Sequence, residues 1–314
     1  MEASLAVFKG RVRLQAEGHI YYVDGRCDLG HVSVSGLVHD YFEEFEGPRM
    51  ARALVNSEGW AKSRYRVRAE SRALAALPGH PPFVDACLTR GRCTLDMLNG
   101  AVTMAQIEEA VVEDVVAQWN EARDRGTVMH AELEDFYTGK TCRLYMERVL
   151  RDNYIAIGGC EYAQFLRWHD EVFIPRGYKV YATEERLIDD RSRVCGSIDL
   201  LVTDREGRVH LRDFKRSRKI RYTAFTKPGE EPKCGKPPFD SLPDTNASHY
   251  AVQQNLYVAM IERNTGMRIS SMSLLIFHPE HADWEEHEVP WLRKEVEEIL
   301  AARERHVLAN LPRV

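Results

Sequence analysis

The sequence has no run of about 18 apolar residues, and its opening, MEASLAVFKGRVRLQ, lacks the charged-then-apolar order of a secretory signal. The expectation is a soluble intracellular protein, of cytoplasm or nucleus, without membrane contact. Its seven cysteines, Cys27, Cys87, Cys93, Cys142, Cys160, Cys195 and Cys234, are odd in number and scattered with no CxxC pair. That argues against a zinc or disulfide framework and for mostly buried thiols. An excess of positive charge is missing too: 43 basic against 48 acidic residues leave a net −5, so only a local basic stripe could attract nucleic acid. No Walker A sequence, helicase segment, repeat or low-complexity tract occurs.

What is present is enough apolar residue, 44% of 314, to bury a full core. The first 100 or so residues mix short β-like runs (HIYYVDG, HVSVSGLV), a basic stretch (KSRYRVRAESR) and a Pro-rich turn (LPGHPPF), and carry no evident chemistry. They are read as an N-terminal accessory region over 1–115, preceding a core over 116–314. From Met104 apolar residues recur at helical spacing up to Gly126, where a second helix capped by Thr127 is expected to run to Gly139. A helix over roughly Glu161–Phe173 follows. Then YKVYATEERLI, RVCGSIDLLVT and RVHLRDFK read as three successive strands, the last two a hairpin turned by DREG. A Pro-rich loop, a helix from about His249 to Arg263, a strand SMSLLIF and a helix from Trp291 to Ala309 complete the order. The fold class is α/β, a central mixed sheet flanked by helices.

Along RVHLRDFK the side chains alternate, so Asp213 and Lys215 share one face and Phe214 takes the other. Pairing across DREG brings Asp199, in GSID, beside Asp213. Two close carboxylates repel unless a cation lies between them, and hard oxygen ligands suit Mg²⁺ or Mn²⁺. Lys215 would then orient a water or neutralise charge in a transition state. A second acid-x-Lys triplet, Glu231-Pro-Lys233, lies in the Pro-rich loop and is set aside. Elsewhere on the chain, His130 and Glu134 are four apart, on one helix face, where imidazole and carboxylate can join the same metal. Gln253 and Tyr257 share a helix face likewise, and Glu184 is a weaker candidate at the start of its strand.

The series GTVMHAELE, ATEERLI, VCGSIDLLV, DFKRSRKI and HYAVQQNLY, from roughly Trp119 onward, resembles the RecB-like branch of the PD-(D/E)XK nuclease superfamily, which includes CRISPR adaptation nucleases and viral or phage recombination exonucleases. The resemblance implies a restriction-endonuclease-like core and a metal-dependent deoxyribonuclease acting on ends or single strands in recombination, repair or viral DNA metabolism. It implies a metal set of His130, Asp199, Asp213 and the Phe214 carbonyl, and a catalytic set of Asp199, Asp213, Lys215, Glu134, Gln253 and Tyr257. An iron–sulfur cluster of the kind several such nucleases hold is not expected, because the last cysteine is Cys234.

After Lys215 come Arg216, Arg218, Lys219 and Arg221; on an extended strand, Lys219 and Arg221 share the face of Lys215 and could track a nucleic-acid backbone. An RNA endonuclease and an inactive nucleic-acid scaffold are the rival readings, since nothing in the sequence reports on a 2′-OH.

Overall fold

The computed structural model describes residues 5–15, 20–43, 45–77, 92–98, 100–139, 161–224, 226, 229 and 231–310. Cys87, Cys142 and Cys160 lie outside them. The chain divides into two compact units, residues 44–127 and residues 1–43 with 128–314. The first 43 residues therefore belong to the unit that carries the sheet rather than to a separate N-terminal region.

Helices α2 (Gly47–Val55) and α3 (Arg66–Ala75) and the first part of the long helix α4 (Met104–Tyr137) make up the smaller unit. Trp60, Leu74, Val111, Val112 and Val115 form its core. Glu70 is fully buried there, and its carboxylate accepts from Trp60 Nε1 at 2.8 Å, Arg66 Nε at 2.9 Å and the Leu95 amide at 2.8 Å. A buried charge is tolerable only when donors replace its lost water, as these three do.

In the larger unit, hairpin β1 (Val12–Gln15) and β2 (Ile20–Val23) stands apart from a mixed six-stranded sheet. β3 (Val32–Ser33) leads into α1 (Val34–Tyr41), and Ser33 caps that helix by accepting from the Gly36 amide. HVSVSGLV, which alternates like a strand, is thus mostly helix. After α5 (Glu161–Trp168) and one π-helical turn come β4 (Lys179–Asp189), β5 (Val194–Thr203) and β6 (Val209–Lys215), all antiparallel neighbours in sequence order. Helix α6 (Asn246–Thr265), capped by Thr245 and ended by Gly266 at φ 70°, crosses over to β7 (Ile269–Ile276), which pairs parallel with β6. β8 (Glu285–Glu288) extends the sheet and α7 (Arg293–Asn310) closes the chain. Apolar cores lie on both faces of the sheet: Val252, Leu256 and Ile299 join Leu201, Leu211 and Ile276, while Met129, Leu133 and Phe165 join Val202, Phe214 and Leu275. The protein is an α/β structure with a mixed central sheet flanked by helices.

One feature of the pairing positions the site. β5 pairs with β6 from Thr203 to Leu200 and with β3 only at Val194 and Cys195. Between these stretches, at Gly196–Asp199, β5 parts from β6, whose last residues Asp213–Lys215 pair with β7 alone. The sheet forks there.

Candidate metal centre

The fork frees backbone groups that a continuous ladder would use, and a side chain takes one of them. Asp199, 8% exposed, accepts the Phe214 amide with Oδ2 at 2.6 Å. Its other oxygen, Oδ1, faces His130 Nδ1 at 3.3 Å, and His130 Nδ1 lies 3.8 Å from Glu184 Oε1. Glu184 sits between Thr183 and Glu185, which pair with Leu200 and Ile198 on either side of Asp199. Its backbone is in the left-handed region at φ 47°, a strain on the order of 1 kcal/mol that the surrounding pairing holds in place. Ser197 Oγ donates to Glu184 Oε2 at 3.4 Å and Thr183 Oγ1 to the Asp199 carbonyl at 3.0 Å.

One ligand atom from each of His130, Glu184 and Asp199 falls within 4.8 Å of the others, a spacing that fits one divalent cation. Among the described residues no other group of three His, Cys, Asp or Glu side chains converges so closely. The donor set is one imidazole nitrogen with carboxylate oxygens, which suits Mn²⁺ or Mg²⁺ better than a soft thiolate metal.

Asp213 and Lys215 project from one face of β6, as strand alternation requires, and the Lys215 ammonium lies 2.7 Å from Asp213 Oδ2. Asp213 is 2% exposed and outside the converging triad; its carboxylate is committed to the lysine. The Lys215 ammonium also stands over the Tyr250 ring at 5.0 Å, a cation–π contact. Tyr250, Gln253 and Tyr257 occupy positions i, i+3 and i+7 of α6, hence one helix face. Gln253 Nε2 donates to the buried Tyr257 hydroxyl at 3.2 Å. That phenol ring packs where a Cβ on Gly196 would stand, 2.6 Å from Tyr257 Cε1.

Electrostatics follow from burial and neighbours. Burial works to lower the His130 pKa, but the Asp199 and Glu184 carboxylates outweigh it and raise the value to about 10. Burial works to raise Asp199, yet His130, Lys215 and the Phe214 amide hold it below the usual carboxylate range. Asp213 is pushed up to about 6, by burial first and by the Asp199 charge, against the pull of Lys215. Burial raises Glu184 as well. For Lys215 burial acts downward, and Asp213 and Asp199 more than reverse it, so the ammonium keeps its proton.

Of the residues singled out in the sequence, His130, Asp199, Asp213, Lys215 and Tyr257 meet around the fork. Glu134 is half-buried and near enough for its charge to bear on Glu184, but it is not among the three converging side chains. Phe214 makes its contact there through the amide N–H. Glu184, the weaker candidate, is the third converging ligand. Tyr250 was not singled out; its only signal is its place one turn before Gln253.

The basic stripe divides. β6 ends at Lys215, so the run beyond it is not an extended strand. Arg216 is bound to Glu161 at 2.6 Å and Arg218 to Glu280 at 2.6 Å. Lys219 and Arg221 are exposed and have no ion pair among the described residues.

The fold and site together define an α/β protein with a candidate divalent-cation centre in a sheet fork. No family model and no curated protein matches the chain. A solved structure described as "Crystal structure of SSO0001" aligns with 59% of this chain and 74% of that one at 14% identity and a TM-score of 0.25, a likeness on which nothing here rests. Among the described residues no helix is long and apolar enough to cross a membrane.

Proposed function

We propose that this chain is a Mg²⁺- or Mn²⁺-dependent nuclease hydrolysing phosphodiester bonds in DNA, of the RecB-like PD-(D/E)XK kind that its motifs resemble. The observation carrying the proposal is the convergence of His130, Glu184 and Asp199 beside the Asp213–Lys215 pair. His130, Glu184 and Asp199 would hold the cation, which would supply positive charge for a phosphate oxygen and a lowered pKa for water. As a ligand His130 would have to be the neutral imidazole, whereas without a cation Asp199 and Glu184 help it keep its proton. Lys215 stays protonated, so its part is to donate hydrogen bonds and to stabilise developing negative charge rather than to accept a proton. Asp213 anchors that ammonium from below and Tyr250 covers it. Tyr257, with its pKa far above the ordinary value through burial, remains a hydrogen-bond donor held by Gln253. Lys219 and Arg221, exposed and without an ion pair among the described residues, are the cations for a phosphate backbone, and a helicase or recombination protein is the class of partner that would deliver single strands or ends.

The test is digestion of end-labelled and circular DNA, single- and double-stranded, and of matched RNA, with Mg²⁺ or Mn²⁺. Wild type is expected to cut DNA, and folded Glu184→Gln, Asp199→Asn and Lys215→Met to be inert. Cleavage of RNA alone moves the assignment to an RNA endonuclease. Tight DNA binding without cuts under any divalent metal makes the protein a scaffold, and equal cutting by the variants removes these residues from the site.

A further inference from the structure

Tyr222 is 57% exposed, yet its ring is not free to rotate at will. Its hydroxyl lies 2.8 Å from His287 Nδ1, and His287 Nε2 lies 3.0 Å from Glu285 Oε2. A carboxylate only accepts, so Nε2 carries the imidazole proton, Nδ1 accepts, and the tyrosine O–H donates. His281 Nε2 donates to the Arg218 carbonyl at 2.7 Å, and its Nδ1, 3.4 Å from Glu285 Oε1, makes no hydrogen bond among the described residues. His287, itself oriented by Glu285, thus holds one exposed aromatic ring. Fixing a side chain costs rotamer freedom, and here no burial of the ring compensates within the protein.

The place of this ring relative to the site is set by strand register. Asp213 pairs with Leu274, which pairs with His287; Lys215 pairs with Ile276, which pairs with Glu285. Residues opposite one another in a sheet share a face, so His287 and Glu285 lie on the face of Asp213 and Lys215, two strands away, or about 10 Å. Lys219 and Arg221, exposed and without an ion pair among the described residues, stand in the same segment as Tyr222. An exposed planar ring flanked by unpaired cations is the combination that grips single-stranded nucleic acid: bases stack on the ring while the cations neutralise phosphates.

We propose that Tyr222, held by the His287–Glu285 relay and flanked by Lys219 and Arg221, is a base-stacking platform for a single strand of nucleic acid leading to or from the sheet fork. The inference rests on the nuclease reading for the direction of the strand, and its test is made by binding alone. Anisotropy of dye-labelled oligo-dT, oligo-rU and a blunt duplex is measured in EDTA with the full chain. Tyr222→Ala is expected to weaken single-strand binding on the order of tenfold with duplex binding unchanged, and Tyr222→Trp to retain it. Abasic replacements in the oligonucleotide should produce the same loss with the wild-type protein, a measurement that needs no variant. Lys219→Ala with Arg221→Ala should lower the salt slope by about one to two. The ratio of oligo-dT to oligo-rU affinity identifies the polymer. Equal binding by wild type and Tyr222→Ala, or indifference to abasic sites, overturns the platform even if the protein cuts DNA. A protein that binds through Tyr222 but cuts nothing keeps the platform and ends the nuclease reading; one that binds no nucleic acid ends both.

Discussion

Asp199 divides its two oxygens between backbone and imidazole: Oδ2 takes the Phe214 amide at 2.6 Å while Oδ1 faces His130 Nδ1 at 3.3 Å. The carboxylate is therefore both a strand-pairing substitute and a candidate ligand. Asp199→Asn keeps an acceptor for the Phe214 amide and loses the charge. We expect it to lose less stability than Asp199→Ala while losing tenfold or more in Mn²⁺ affinity. Asp199→Ala should lose both, with a stability cost of about 1–3 kcal/mol for the orphaned amide. Urea unfolding and Mn²⁺ calorimetry on the two variants separate the roles; equal stability of both would deny the backbone role.

His130 connects the centre to pH. Its folded pKa of about 10 lies above its ordinary 6.5, so the metal-free protein gains stability from the charged imidazole that is fully present below pH 6.5 and is lost as pH rises through about 10. A cation requires the neutral ring, so binding displaces a proton. Mn²⁺ affinity should therefore rise by up to about tenfold per pH unit between pH 6 and 9. Calorimetry in buffers of different ionisation enthalpy should count close to one proton released at pH 7.5, and His130→Asn should release fewer.

Lys215 and Asp213 depend on one another. Lys215→Met leaves the Asp213 carboxylate buried without its cation, and we expect a loss of about 3–5 kcal/mol in denaturant unfolding at pH 8. Because Asp213 is already raised to about 6, lowering the pH to 5 protonates it and should recover part of that loss. A deficit that did not shrink at pH 5 would mean that the pair contributes little.

Gly196 is where no side chain fits. A Cβ would stand 2.6 Å from Tyr257 Cε1 and 3.2 Å from Val34 Cγ2, so Gly196→Ala should destabilise by about 1–3 kcal/mol through overpacking. In a Tyr257→Ala background the same change should cost much less. Additive costs in that double-mutant cycle would disprove the contact.

The parts legible in the sequence were the strands and their turn. Runs rich in β-branched, aliphatic and aromatic residues in YKVYATEERLI, RVCGSIDLLVT and RVHLRDFK, with the DREG turn, located β4 to β6 within about a residue, and alternation along RVHLRDFK set Asp213 and Lys215 on one face. Gly126 misled, since α4 runs unbroken through it. One glycine costs a helix only about 1 kcal/mol, less than the buried contacts of Val111, Val112 and Val115 before it and of Met129 and Leu133 after it contribute. β8 was missed because EEHE offers no apolar residue, and its neighbour β7 supplies the pairing. Glu184 ranked low because its part in the centre depends on a local backbone conformation, φ 47°, which no side-chain pattern encodes.

The fork in the sheet draws its centre from segments far apart along the chain: a helix at 130, strands at 184, 199 and 213–215, and a helix at 250–257. The β4–β5 hairpin carries two of the three converging side chains, Glu184 and Asp199, while His130 comes from a helix far earlier in the chain. A nascent chain, a proteolytic fragment or a locally unravelled molecule therefore lacks the complete triad, because loop closure between the helix at 130 and the hairpin must come first. On the proposed nuclease reading, that dependence on the complete triad would keep half-made copies of the protein from acting on nucleic acid without any inhibitor.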